Sequence, residues 1–452
     1  MRAGWIAACL VFAGTLAVVW GTPQGEFQGG TSLLYTATPH YEPLAWLHGG
    51  NRFPGGAQLL VFDGKTSRVM VPAFFASSDA SVSFDGTRVL FAGKQHASDP
   101  WQIWEIAVAG GSPIRLTSCQ QDCVLPLYLP EDRIVYAHKV RGIFQIEGMP
   151  IKGGEPLVLT RVPGDAIPSD VLRDGRILFQ AAFPLGGRAT AELYTVYPDG
   201  SGVESYRCDH GAARFAGTQI SSGDVVFASA GRLARFTSAL AQQVDVVAPA
   251  GEFAGDVSET SPGTLVGAWR PDSKSAYSIA KWSADGREIT QVISKSGADL
   301  VQPRALSARA VPHRHPSGLH DWDGANVLCL NAYTSKSSTI AEGSITGVRL
   351  YTQNARGQTV LLGTSNVEKD GSFFVHVPAD QPLKFELVDR AGKVLERERG
   401  WYWMRRGEQR VCVGCHTGPE RAPENVVPAV LVKSTEPVDL TRSHSGPHSG
   451  GH

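Results

Sequence analysis

The chain has 452 residues, with 42 Lys plus Arg against 43 Asp plus Glu and a formal net charge of −1. That balance excludes a polybasic nucleic-acid surface and a strongly acidic shell. Fifty glycines and 28 prolines with only 19% charged residues exclude a helical bundle and a disordered chain, and point to all-β architecture in more than one domain.

The N-terminus reads first. One arginine in Met1-Arg2-Ala3 precedes an uncharged apolar run from Gly4 to Trp20, the n-region and h-region of an export signal. The run sits at the short limit for a membrane span, which needs about 20 residues, and no A-x-A cleavage site follows. Residues 1–22 are therefore a signal peptide or a retained N-terminal anchor, the only membrane element expected. Both readings export the body, to the periplasm or the outer face of the cytoplasmic membrane. An oxidising compartment favours disulfides. Outside the leader the cysteines are Cys119, Cys123, Cys208, Cys329, Cys412 and Cys415. If the last two carry a cofactor, four remain; Cys119 with Cys123 and Cys208 with Cys329 is one of three pairings.

From residue 33 to 300 a unit recurs every 42 to 48 residues: "SFDGTRVLFAG", "LPEDRIVYAHK", "LRDGRILFQAA" and "ISSGDVVFASA". Each joins an Asp-Gly turn, or a polar equivalent, to a β-branched and aromatic strand. A second strand follows ("QIWEIAV", "IFQIEGMPI", "AELYTVYP"), then a glycine turn and a third. Short antiparallel strands at this period predict a β-propeller of about six blades. The type "DGTRVLF…IWEIAVAGGSPIRLT" resembles the TolB-type propeller repeat, which implies a scaffold or binding role; no nucleophile–base constellation stands out in the blades.

Residues 301–343 read as a connector carrying His313, His315 and His320, solvated in the simplest reading and metal ligands in a second. Residues 344–432 read as a small antiparallel β domain with period-two strands such as "GSFFVHVPA", in which His376 is an ordinary strand residue. Residues 433–452, with His444, His448 and His452, read as a disordered polar tail.

The β domain ends in "QRVCVGCHT". Covalent haem attachment needs two thiols that each reach a vinyl group and a histidine beneath the iron, and Cys412-x-x-Cys415-His416 supplies all three. Zinc usually needs a second pair of ligands at suitable spacing, and the sequence has no other C-x-x-C. A thioredoxin-like pair would need a βαβ context, and a plain disulfide leaves His416 accidental. The expectation is one haem c on Cys412 and Cys415 with His416 as axial ligand. Met404, eight residues upstream, is a geometrically awkward distal ligand and reads as packing beside Trp401 and Trp403. His376 and the 313–320 histidines would reach the iron only if their segments folded over it, so the sixth position is expected to be weakly held or open.

The order of propeller, small β domain and "GWYWMRRGEQRVCVGCH" resembles the hydrazine synthase alpha subunit and its exported relatives. The resemblance implies haem c on Cys412 and Cys415 in a middle domain. It also implies that the motif histidine can bind zinc while a tyrosine four residues later ligates the iron. Here that later position is Glu420, so the tyrosine does not carry over, and His416 is assigned the iron. No second CxxCH is present, so two-haem hydrazine synthesis does not carry over. The leading expectation is an exported mono-haem cytochrome-like protein passing electrons to a redox partner protein. The alternatives are a redox enzyme acting on a small nitrogen or oxygen species at an open iron, and a propeller-based binding protein.

Overall fold

The computed structural model describes residues 32–185, 188–207, 213–238, 241–246, 248–286, 288–335, 340–415 and 424–441. Within it each repeat becomes a sheet of antiparallel strands, and six such sheets lie between residues 33 and 305. The all-β expectation of about six blades is borne out.

The strand after each Asp-Gly turn explains why the repeat is apolar rather than alternating. Val89–Ala92, Ile134–Ala137, Ile177–Phe179 and Val225–Ala228 are buried on both faces, because each blade is sandwiched between two others. Phe91, Tyr136, Phe179 and Phe227 occupy the same position in four successive blades and are almost wholly buried. Burial of each contributes on the order of 1.5–3 kcal/mol. The turns themselves are set by side-chain acceptance: Asp85 takes the amide of Thr87 and the hydroxyls of Ser83 and Thr87. These hydrogen bonds, Ser83 first, hold its carboxyl down at about 2. The glycine that follows has φ +75° at Gly86 and +86° at Gly175, a left-handed conformation that costs other residues about 1–2 kcal/mol.

The ring closes by exchange of strands between its ends. Asp299–Ala305 pairs antiparallel with Leu33–Thr38, from Leu33 opposite Ala305 to Thr38 opposite Asp299, so the last strand of the array is the innermost strand of the first blade. Innermost strands carry bulges, with left-handed residues at Asp79, Leu125, Ala216, Asp256 and Gln302; a bulge bends and twists a strand locally. These residues plug the axis. Arg52 makes two bonds to Asp79 at 2.9 and 2.7 Å, and Gln302 donates to the same carboxylate at 2.7 Å. Only about 30 Å³ of space remains there.

Beyond the ring the chain forms a sandwich of two four-stranded sheets. One is antiparallel, built from Gly347–Gln353, Thr359–Asn366, Leu383–Val388 and Val394–Arg397. The other is mixed: Ala325–Cys329 lies between Gln409–Cys412, parallel to it, and Phe373–Val377, antiparallel, with Val438–Asp439 parallel at the far edge. Val327, Cys329, Val348, Leu350, Phe373, Val375, Leu383 and Leu387 fill the space between them.

Two boundaries differ from the sequence reading. Ala325–Cys329 falls inside the expected connector, and Val438–Asp439 inside the expected tail. Both are short strands with partners distant in sequence, each paired in parallel on at least one side, a pairing that leaves no local signal. Leu440 is buried in the sandwich core, and its amide donates to the His376 carbonyl at 2.8 Å.

The connector straps the propeller. Its Arg309 amide donates to Phe84, its His313 amide to Arg173, and Arg314 pairs with Glu131 at 3.0 Å. It thus crosses the repeat turns of three blades, and at Gly86 and Gly175 the strap lies where a Cβ would be, 2.8 Å from Ala308 N and 2.2 Å from His313 O. No helix among the described residues is long and apolar enough to cross a membrane.

Candidate functional site

Four consecutive residues, Trp401 to Met404, are shared among three environments. Met404 is buried in the sandwich core. Trp403, 0% exposed, inserts into the propeller among Leu129, Val135, Phe179 and Val196, and its Nε1 donates to Gly200 O at 2.9 Å. Trp401 faces a cleft, with Lys384 over its ring at 4.6 Å. Tyr402 lines the same cleft and packs on Phe385, ring centroids 5.4 Å apart.

The cleft holds about 340 Å³ and lies at the junction of the two units, a size usual for small-molecule and cofactor sites. Val203, Glu204 and Ser205 from the fourth blade form one side. Val327, Phe373, Phe385, Leu387, Trp401 and Tyr402 form the apolar wall, and Cys329, Cys412 and Cys415 lie on it together. The Gln409–Cys412 strand brings Cys412 to the cleft, and the turn after it returns Cys415. Burial pushes the Cys412 thiol up to about 11. The Cys329 thiol is raised well above its ordinary value by a hydrogen bond with Cys415, then by burial. Burial raises the Tyr402 phenol likewise, with Cys412 adding to it.

Two buried polar atoms on this cleft, Tyr402 Oη and Ser205 Oγ, have no hydrogen-bond partner. An unmatched buried polar atom costs about 1–3 kcal/mol.

Of the residues singled out from sequence, Cys412 and Cys415 share the cleft. His416 and Glu420 lie outside the described residues, as do Cys208, the 1–22 leader and the histidines at 444, 448 and 452. Met404 is in the sandwich core, in keeping with packing. His376 projects from the opposite face of its sheet, with Nδ1 2.6 Å from Asn326 Oδ1. His315 stacks on Tyr197 and His320 on Trp322, and the His313 amide binds Arg173; the three do not converge. Among the described residues only Cys119, Cys123 and His138 form a group of three ligand atoms within 4.8 Å of one another. There the two sulfurs form a disulfide, and His138 Nδ1 meets Glu147 at 2.9 Å. The Cys208–Cys329 pairing is corrected: Cys329 is a free thiol beside Cys415, because its strand lies next to that of Cys412. Ser205 and Tyr402 were not singled out from sequence, and Cys329 only as a disulfide partner of Cys208. Of the three only Cys329 had a signal, an apolar "NVLC" strand ending in a cysteine.

Residues 328–417 match the family described as the hydrazine synthase alpha subunit middle domain, so the resemblance expected from the sequence is borne out. The whole structure is similar to the hydrazine synthase of Kuenenia stuttgartiensis, with a TM-score of 0.76 at 15% identity over 90% of this chain and 72% of that one. It is also similar to TolB from Acinetobacter baumannii, with a TM-score of 0.47 at 14% identity over 61% of this chain and 67% of that one. At these identities the likeness bears on the fold. No curated protein matches the chain by sequence.

Proposed function

We propose, from the middle-domain match of residues 328–417, that this is an exported protein carrying one haem c in the junction cleft, attached through Cys412 and Cys415, and that it transfers electrons to a redox partner protein. The observation that carries the reading is the placement of both motif cysteines on one apolar cleft of about 340 Å³. The residues present fit a porphyrin. Trp401, Phe373, Phe385 and Leu387 offer apolar surface, and Arg397 and Arg410, paired with Glu386 and Glu408, are the cations among the lining residues nearest its carboxylates in this reading. Tyr402 and Ser205 bring unmatched hydroxyls. His416 follows Cys415 directly in sequence and is the iron ligand in this reading. When bound, the haem supplies one-electron chemistry, with a potential set by ligands, hydrogen bonds and burial. The protein's part is to hold the ring against the sandwich wall and to limit water with blade four.

Export is supported by the N-terminal sequence and by the Cys119–Cys123 disulfide, a bond that persists in oxidising compartments. A redox enzyme working at an open iron is the second reading. It is favoured by the position of Met404 in the sandwich core and of His376 on the far face of its sheet, which leaves neither to fill the sixth site.

Protein from a host with c-type maturation should stain for haem after denaturation, and Cys415→Ser should lose most of the stain. Colourless wild-type protein from that host overturns the reading. Ready binding of carbon monoxide to the reduced form favours the enzyme; a low-spin spectrum unmoved by it favours simple transfer.

A further inference from the structure

The cleft contains a third sulfur that the CxxCH motif does not use. Cys329 ends its strand directly opposite Cys412 in the parallel register. It is 2% exposed and lines the same cleft wall as Cys415, whose thiol perturbs its own. Two features of the backbone hold the segments that carry these cysteines together. The Leu330 amide donates to Cys412 O at 2.8 Å, tying the residue after Cys329 to the motif strand. Gly414 packs so closely on the turn after Cys329 that a Cβ there would lie 2.3 Å from Thr334 O and 2.9 Å from Asn331 O. The loop carrying Cys415 is therefore pressed onto the chain that follows Cys329. Cys412 and Cys415 also pack against the same core cluster as Cys329, and the open cleft gives small reagents a route to them.

We propose that Cys329 and Cys415 form a disulfide in the haem-free protein, so that Cys329 competes with haem for Cys415. The step is a two-electron thiol–disulfide exchange. A low-molecular-weight disulfide, or the disulfide of an exchange protein, is reduced to two thiols as its own S–S bond breaks. The new bond joins the two sulfurs of Cys329 and Cys415, whose protons pass to the departing thiolates. A dithiol reductant reverses it through a mixed disulfide. The packing of Gly414 selects this pair, since it presses the loop of Cys415 onto the chain after Cys329. The disulfide stands on this packing of the two segments, without the haem reading. Its consequence rests on the haem reading: a sulfur held in a disulfide cannot add to a vinyl group, so reduction must precede attachment at Cys415.

The test uses full-length protein made without c-type maturation, treated with oxidised glutathione, alkylated and digested without reduction. The expected result is a peptide containing Cys329 linked to the peptide containing Cys412 and Cys415. The link should vanish in Cys415→Ser and survive in Cys412→Ser. A bond confined to Cys412–Cys415, or three alkylated thiols, overturns the proposal. In a maturation host, Cys329→Ala should raise the fraction of chains carrying haem under oxidising conditions and equalise with wild type when a dithiol is supplied. Equal haem content in both conditions overturns the competition. Colourless protein in every variant overturns the haem reading instead, and the peptide map then decides the disulfide by itself.

Discussion

The propeller and the sandwich are both β structure, yet they are ordered in opposite ways. In the propeller nearly every strand pairs with its neighbour in sequence, and one ring-closing pair joins the ends. In the mixed sheet of the sandwich every pairing is distant in sequence, and two of the three are parallel. The propeller spends its polar groups on itself, filling its axis with Arg52, Asp79 and Gln302. The sandwich brings three thiols to one cleft and leaves the Tyr402 hydroxyl there unmatched. Chemistry is found where distant segments meet, and repetition supplies the support.

That contrast can be broken most severely at Trp403, the side chain that docks one unit into the other. Trp403→Ala removes a fully buried ring from the propeller cluster, a loss of about 3–5 kcal/mol for such truncations. The expected outcome is much faster proteolysis between residues 306 and 324 with the propeller still resistant. Unchanged cleavage would mean that the two units are held together by other contacts.

The strap gives a finer comparison between two glycines in equivalent turns. Gly223 has φ +98° and its nearest neighbour is Arg173 at 3.6 Å, whereas Gly175 would place a Cβ 2.2 Å from His313 O. Gly223→Ala should cost only the left-handed penalty of about 1–2 kcal/mol. Gly175→Ala should cost visibly more in thermal unfolding, because the strap must also lift. Equal losses would show that the strap contributes nothing.

A smaller effect concerns the thiols. Burial raises Cys412 to about 11, so below that pH it is mostly the neutral thiol, which is the unreactive form. Alkylation of haem-free protein near pH 8 should be on the order of a hundredfold slower at Cys412 than at an ordinary cysteine of pKa near 8.5. The rate should climb with pH up to about 11. An ordinary rate at pH 8 would mean that the cleft is wet around that sulfur.

How much could be read from the sequence follows the same division. Asp-Gly turns and runs such as "VLFA" and "IVYA" are local signals, and they gave the blades. The ring-closing Asp299–Ala305 strand was not separable from the array, since its partner is Leu33–Thr38. The CxxCH motif disclosed two cleft residues because its chemistry is written in five adjacent positions. Cys329, Ser205 and Tyr402 reach the cleft through parallel pairing and domain docking, which depend on residues far away and leave no periodic trace. The aromatic cluster at 401–403 was visible, but not that its members point into three different environments.

The central claim, one haem covalently held in the junction cleft, is tested most directly by the intact mass of denatured, reduced protein purified from a host with c-type maturation. The account predicts a chain heavier by one haem, with the added mass confined to the peptide containing Cys412 and Cys415. A chain of unmodified mass, or haem that leaves on denaturation, would contradict it.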